Sequence, residues 1–195
     1  MSFSVGRTKI TVSPLFFILI TAMILLDRTG LILITLISSL LHESGHLAAM
    51  RICKQPPLAL NITPCGLEIV RGLSSDSHET VWIALSGPFA NMLAVIVMLV
   101  IAQKYPSVTL LYAIAVNALI VLLNCLPLRG LDGGELAYLF MQKRWGMQGE
   151  RLFSIMSYTV SVLLLSVGIA TLICTRNFTL ALVGVYLVLL NLFKL

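Results

Sequence analysis

Charge is scarce in this chain. Acidic and basic residues together make up 11% of its 195 positions, with thirteen Lys and Arg against eight Asp and Glu. So little charge excludes a soluble domain of ordinary composition, which carries about a quarter of its residues as Asp, Glu, Lys and Arg. No dense basic block is present either, so the net charge of +5 does not point to nucleic acid. The four cysteines (Cys53, Cys65, Cys125, Cys174) lack a C-x-x-C pair and lie far apart, which argues for unpaired thiols rather than a disulfide framework. Histidine is rarer still, at three residues. A small-residue cleavage site is missing after the first apolar run, where Asp27-Arg28-Thr29-Gly30 follows, so that run is expected to stay as a span.

What the chain has in abundance is apolar sequence, 58% of its residues. The expected fold is an all-α polytopic membrane protein in a single domain over 1–195. Six spans are expected, at about 11–26, 31–50, 81–103, 108–127, 153–174 and 178–193. Six spans place both termini on one side of the membrane. That side carries ten basic residues and the other only Arg28, Lys104 and Arg176, so both termini are expected in the cytosol. The last two spans read as scaffold, and Gln142 to Arg151 as a polar connection between spans.

Two of the three histidines fall in one five-residue stretch of the second span, His42-Glu43-Ser44-Gly45-His46. Ionisable groups are costly at membrane depth, so such a cluster marks a functional site by default. The pattern is H-E-x-x-H. On a helix the two histidines lie one above the other on one face and can hold one zinc ion. Glu43 is turned roughly 100° away from the ligand line, where it can act as general base toward a water at the metal. The bland alternative is two histidines satisfied by backbone in a helix bundle. His42 lies roughly 15 Å or more from the outer end of its span, so the site is expected to open toward the cytosol. His78 reads as an exposed first-turn residue, behind a capping box of Asp76 and Glu79.

Between the second and third spans, Leu58, Leu60 and Ile62 alternate with Ala59 and Asn61, and Thr63-Pro64-Cys65-Gly66 reads as a turn. With Leu67 to Val70 this gives a short membrane-associated β-hairpin. In the third span, Gly87 allows close helix approach and Asn91 places an amide in the membrane, either as interhelical glue or as a cleft group. The fourth span ends in Asn124-Cys125-Leu126-Pro127-Leu128-Arg129-Gly130-Leu131-Asp132-Gly133-Gly134-Glu135. Proline and three glycines in twelve positions break the helix. That break can turn a carboxylate toward the bundle interior. A zinc held by two histidines lacks a third protein ligand. Asp132 is the first choice, then Glu135, then Glu68. Asn117 and Asn124 share a face of this span and either pair or support the site.

The two polar stretches together resemble the site-2 intramembrane metalloproteases, and most closely the six-span stage IV sporulation protein FB branch. That family carries H-E-x-x-H in one span and N-x-x-P-x-x-x-L-D-G in a later one, matched here by 42–46 and 124–133. A G-x-x-x-N element is matched by Gly87 to Asn91. The resemblance implies one zinc per chain on His42, His46 and Asp132, with Glu43 as general acid/base. It implies a cleft or substrate-binding set of Asn91, Asn124, Pro127, Gly133 and Gly87. It further implies hydrolysis of a peptide bond in or near the transmembrane segment of a membrane-tethered protein, such as a transcription or sigma factor precursor, an anti-sigma factor or a remnant signal peptide. A membrane regulatory partner and a bacterial plasma membrane follow from the same resemblance. The chain departs from the branch at Arg129-Gly130, where a second proline is common, and no C-terminal regulatory domain is expected. The rival readings are a metal transporter, a catalytically silent binding relative, and an enzyme using Glu135 as third ligand.

Overall fold

A computed structural model describes residues 2–5, 8–63, 66–70, 77–176 and 179–193. Helix dominates, and the chain divides into two compact units, Met1–Leu122 and Leu123–Leu195.

The first unit opens with two strands, β1 (Ser2–Val5) and β2 (Thr8–Val12). Pro14 then starts helix α1 (Pro14–Leu26), whose first-turn position suits a residue without an N–H. A turn at Asp27–Gly30 leads into α2 (Leu31–Ile52). The Asp27 carboxylate holds that turn, accepting from the Thr29 and Ile32 N–H groups at 2.8 Å each and from the Thr29 hydroxyl at 2.6 Å. These bonds stabilise the charged form, so its pKa is lowered, with the Thr29 hydroxyl as the largest cause. Strands β3 (Ala59–Thr63) and β4 (Gly66–Val70) follow, then α3 (Ser77–Lys104) and α4 (Val108–Asn124), whose last turn runs into the second unit.

β3 and β4 form the antiparallel hairpin that the alternation predicts, with Leu60 opposite Ile69. The hairpin does not stand alone. β2 pairs with β3 in parallel, giving one four-stranded sheet in the order β1-β2-β3-β4. An all-α reading with one hairpin is therefore corrected. The first span is expected from about residue 11, yet residues before and at that start are strand, with Phe3, Ile10, Leu60 and Ile69 lined up across all four strands. Pairing with the distant β3 makes β2 a strand, a partner that a local pattern does not reveal, and β1 then adds beside β2. The Pro64-Cys65 turn and the Asp76 cap lie outside the described residues.

The second unit holds α5 (Asp132–Trp145), α6 (Met147–Thr175) and α7 (Thr179–Phe193). The polar stretch from Gln142 is not a loop. Helix runs to Trp145, and Gly146 alone, at φ +54°, separates it from α6. A positive φ suits glycine and allows this abrupt turn. α7 packs along α6, where Gly184 sits so close to Leu165 that a Cβ would stand 2.6 Å from the Leu165 Cα.

Among the described residues, three helices are long and apolar enough to cross a membrane: Leu31–Ile52, His78–Lys104 and Met147–Cys174. Pro14–Leu26 and Val108–Asn124 are apolar but shorter. The three described cysteines, Cys53, Cys125 and Cys174, are free thiols.

Candidate metal centre

The site starts from the buried stripe of α2. Its buried residues are Ser38, His42, His46 and Met50, each four after the last, so they form one line along the helix. That line faces α3, and two glycines let the helices meet there. A Cβ on Gly45 would stand 2.5 Å from the Ser86 carbonyl oxygen and 3.0 Å from the Ala90 Cβ. A Cβ on Gly87 would stand 2.6 Å from His46 Cε1 and 2.8 Å from His42 Cε1. Gly87 is thus the floor against which both imidazole rings lie. Pro88, next to it, is accommodated inside the long helix α3.

The two rings are held in different ways. His46 Nδ1 lies 2.8 Å from the Ile83 carbonyl oxygen. A carbonyl only accepts, so Nδ1 carries the proton and the Nε2 lone pair is left for another partner. Ser86 also donates its hydroxyl to the same carbonyl at 2.6 Å. His46 Nε2 in turn stands 3.2 Å from His42 Nε2, with the rings edge-on at 82°. Two nitrogens bound to one tetrahedral zinc at about 2.0–2.1 Å lie roughly 3.3–3.4 Å apart. The observed pair is close to that separation. A histidine whose other nitrogen donates to a backbone carbonyl is also the usual state of a metal ligand. Among the chemistries open to a buried imidazole pair, this geometry fits a shared cation. Glu43 sits between the ring positions, half-buried on the neighbouring face of α2.

One turn beyond the rings lies a buried polar triad. Asn91 is fully buried and donates its amide to the Ser38 carbonyl at 3.2 Å and to Asn117 Oδ1 at 3.0 Å. Asn117 donates to the Ser38 hydroxyl at 2.8 Å and to the Ala113 carbonyl at 2.8 Å. The Asn91 amide oxygen is buried with no hydrogen-bond partner among the described residues. The sequence pointed to Asn91 by itself and to Asn117 together with Asn124, whereas the Asn117 side chain bonds to Asn91, Ser38 and Ala113. It gave no sign of Ser38, which joins them across α2, α3 and α4. A serine four residues before His42 was the available signal.

Other named residues fall elsewhere. Asp132 and Glu135 stand in the first turn of α5, and Asn124, Pro127 and Gly133 lie on or beside the segment that leads into it. The helix break is confined to 125–131, and Asp132 already begins a helix in spite of Gly133-Gly134. Those glycines admit the preceding segment: a Cβ on Gly133 would stand 2.5 Å from the Cys125 carbonyl carbon, and one on Gly134 2.5 Å from that of Leu128. Glu68 is on β4 opposite Asn61. His78 is exposed at the start of α3. Near it, Gln55 donates to the Glu79 carboxylate, tying the end of α2 to the start of α3.

No protein-family model matches the chain, and no curated protein matches it. Among solved structures, it is similar to the site-2 protease from Methanocaldococcus jannaschii, with a TM-score of 0.71 and 19% sequence identity over 100% of this chain and 95% of that one. At that identity the likeness establishes a shared fold.

Proposed function

We propose that this protein is an intramembrane zinc endopeptidase that hydrolyses a peptide bond in or near the transmembrane segment of a membrane-tethered protein. The observation that carries the reading is the His42–His46 pair, with its Nε2 atoms 3.2 Å apart and the His46 ring fixed by the Ile83 carbonyl. The site-2 protease fold supports it. His42 and His46 would hold the metal, and Asp132 would complete the protein ligand set, since it opens the helix that follows the Asn124–Leu131 segment. A bound zinc supplies Lewis acidity toward the scissile carbonyl and lowers the pKa of water toward about 7.

Glu43 then serves as the general base. It takes the proton of the attacking water and passes it to the departing amine, which restores the carboxylate. Gly87, with no side chain, keeps the two rings where they are. The Asn91 amide oxygen is a ready acceptor for a backbone N–H, and Asn124, Pro127 and Gly133 are proposed to line the cleft. A helical substrate presents occupied carbonyls, so it must unwind before attack. β4 is an edge strand in a sheet ordered β1-β2-β3-β4, and an unwound segment added beside it would satisfy the freed backbone.

The rest of the reading is a single protease domain over 1–195 with six spans, in a bacterial plasma membrane, with both termini and the site opening in the cytosol. The partners are a membrane-tethered substrate, such as a transcription or sigma factor precursor or an anti-sigma factor, and a membrane regulator. Glu43 separates this reading from a metal-transport site, which needs no carboxylate off the ligand line. Replacement of Glu43 by Gln with metal and cleavage read together tests it.

A further inference from the structure

We infer that Ser157, Ser161 and Asn191 form a hydrogen-bonded relay that sets the position of Asp132, so that three uncharged residues on α6 and α7 act as positioning residues for the metal site. The inference rests on the proposed reading of Asp132 as a ligand. Ser157 and Ser161 are both fully buried. Asn191 donates its amide to the Ser161 hydroxyl at 2.9 Å and to the Leu187 carbonyl at 3.0 Å. Ser161 donates onward to the Ser157 carbonyl at 2.9 Å. The Ser157 hydroxyl donates to Asn191 Oδ1 at 2.8 Å. Every proton in this ring therefore has one direction.

The Ser157 hydroxyl oxygen accepts nothing within the ring, and one of its lone pairs accepts from the backbone N–H of Arg129 at 2.9 Å. That bond leaves the helix pair and ends on the segment before α5. From there the chain is short and tied. The Leu131 N–H donates to the Leu128 carbonyl at 3.1 Å, and the Glu135 N–H to the Leu131 carbonyl at 3.1 Å. Leu128 is fully buried. The Arg129 guanidinium adds a second hold, lying 5.8 Å over the Phe153 ring. Asp132 is three residues beyond this anchor. Simple interhelical glue would close on itself, whereas this ring fixes a backbone N–H that has no helical partner. Groups that orient a metal ligand typically change metal affinity by 10–100-fold when removed.

The test is zinc affinity of the detergent-purified full chain, by competition with a chromophoric chelator, for wild type, Ser157→Ala, Asn191→Ala and the double variant. Amide exchange at Arg129 and thermal unfolding without metal are read alongside. The expected result is roughly tenfold weaker zinc binding in each single variant, faster Arg129 exchange, and a double variant no worse than the worse single, because the residues act in series. Unchanged zinc affinity in folded variants with exposed Arg129 would overturn the relay and leave the metal reading standing. Additive losses, or a fall in unfolding temperature alone, would also overturn it, since both describe packing. A wild type that binds no zinc is a different failure, that of the metal reading itself. Asn191→Ala, at the outer side of the ring, carries the test if Ser157→Ala does not fold.

Discussion

His46 and Ile83 are joined by a hydrogen bond of 2.8 Å from the imidazole Nδ1 to the backbone carbonyl, and this bond decides what the histidine can do. With Nδ1 protonated, Nε2 is a lone-pair donor aimed toward its neighbour His42. The carbonyl belongs to α3, so the tautomer of a residue on α2 is set by the packing of the two helices.

That packing depends on Gly87. Gly87→Ala is expected to push a methyl group into both rings, within 2.6 Å of His46 Cε1 and 2.8 Å of His42 Cε1. Overpacking of this kind costs about 1–3 kcal/mol. Thermal unfolding in detergent should fall accordingly, and zinc retained per chain should fall with it. Gly30→Ala, where nothing lies within 4 Å but φ is +75°, should affect folding of the turn and leave zinc content unchanged.

The triad of Ser38, Asn91 and Asn117 makes a second prediction. Asn117→Ala removes the acceptor of Asn91 and the donor to the Ser38 hydroxyl. A buried group left unpaired costs roughly 1–3 kcal/mol, toward the low end between helices in a membrane. Asn117→Ala should therefore be less stable to denaturant. Ser38→Ala should cost less, because the Ser38 carbonyl still receives the Asn91 amide.

A third prediction concerns pH. The Asp27 pKa is lowered by its hydrogen bonds to Thr29 and Ile32. A carboxyl whose folded value lies below its unfolded value of about 3.9 stabilises the fold above that pH. The contribution is lost as pH falls through the folded value. Exchange of the Ile32 amide should thus accelerate as pH is lowered below about 4, relative to its intrinsic rate. Asp27→Asn should abolish that pH dependence.

Much of the fold was legible from residue type. The apolar runs at 31–50, 81–103 and 153–174 fall within helices, and the alternation from Leu58 to Ile62 gave the β3–β4 hairpin. The polar cluster at 42–46 stood out because histidine and glutamate are costly in an apolar run. β2 was not legible as a strand, since its partner β3 is about fifty residues away, and β1 depends on β2 in turn. The helix at Asp132–Trp145 was hidden by glycines that serve close approach. Ser157, Ser161 and Asn191 carry no charge, so composition gave them no weight. Their role shows only when the hydrogen bonds are followed from α7 to the Arg129 N–H.

Zinc content and cleavage measured on the same preparations decide whether the His42–His46 pair serves a zinc peptidase. Wild type, Glu43→Gln and Asp132→Asn would be purified in detergent, and each co-expressed with a single-span reporter substrate. Wild type should hold one zinc per chain, Glu43→Gln the same zinc with no cleavage, and Asp132→Asn less zinc. Well-folded wild type without zinc, or Glu43→Gln that still cleaves, would contradict that assignment.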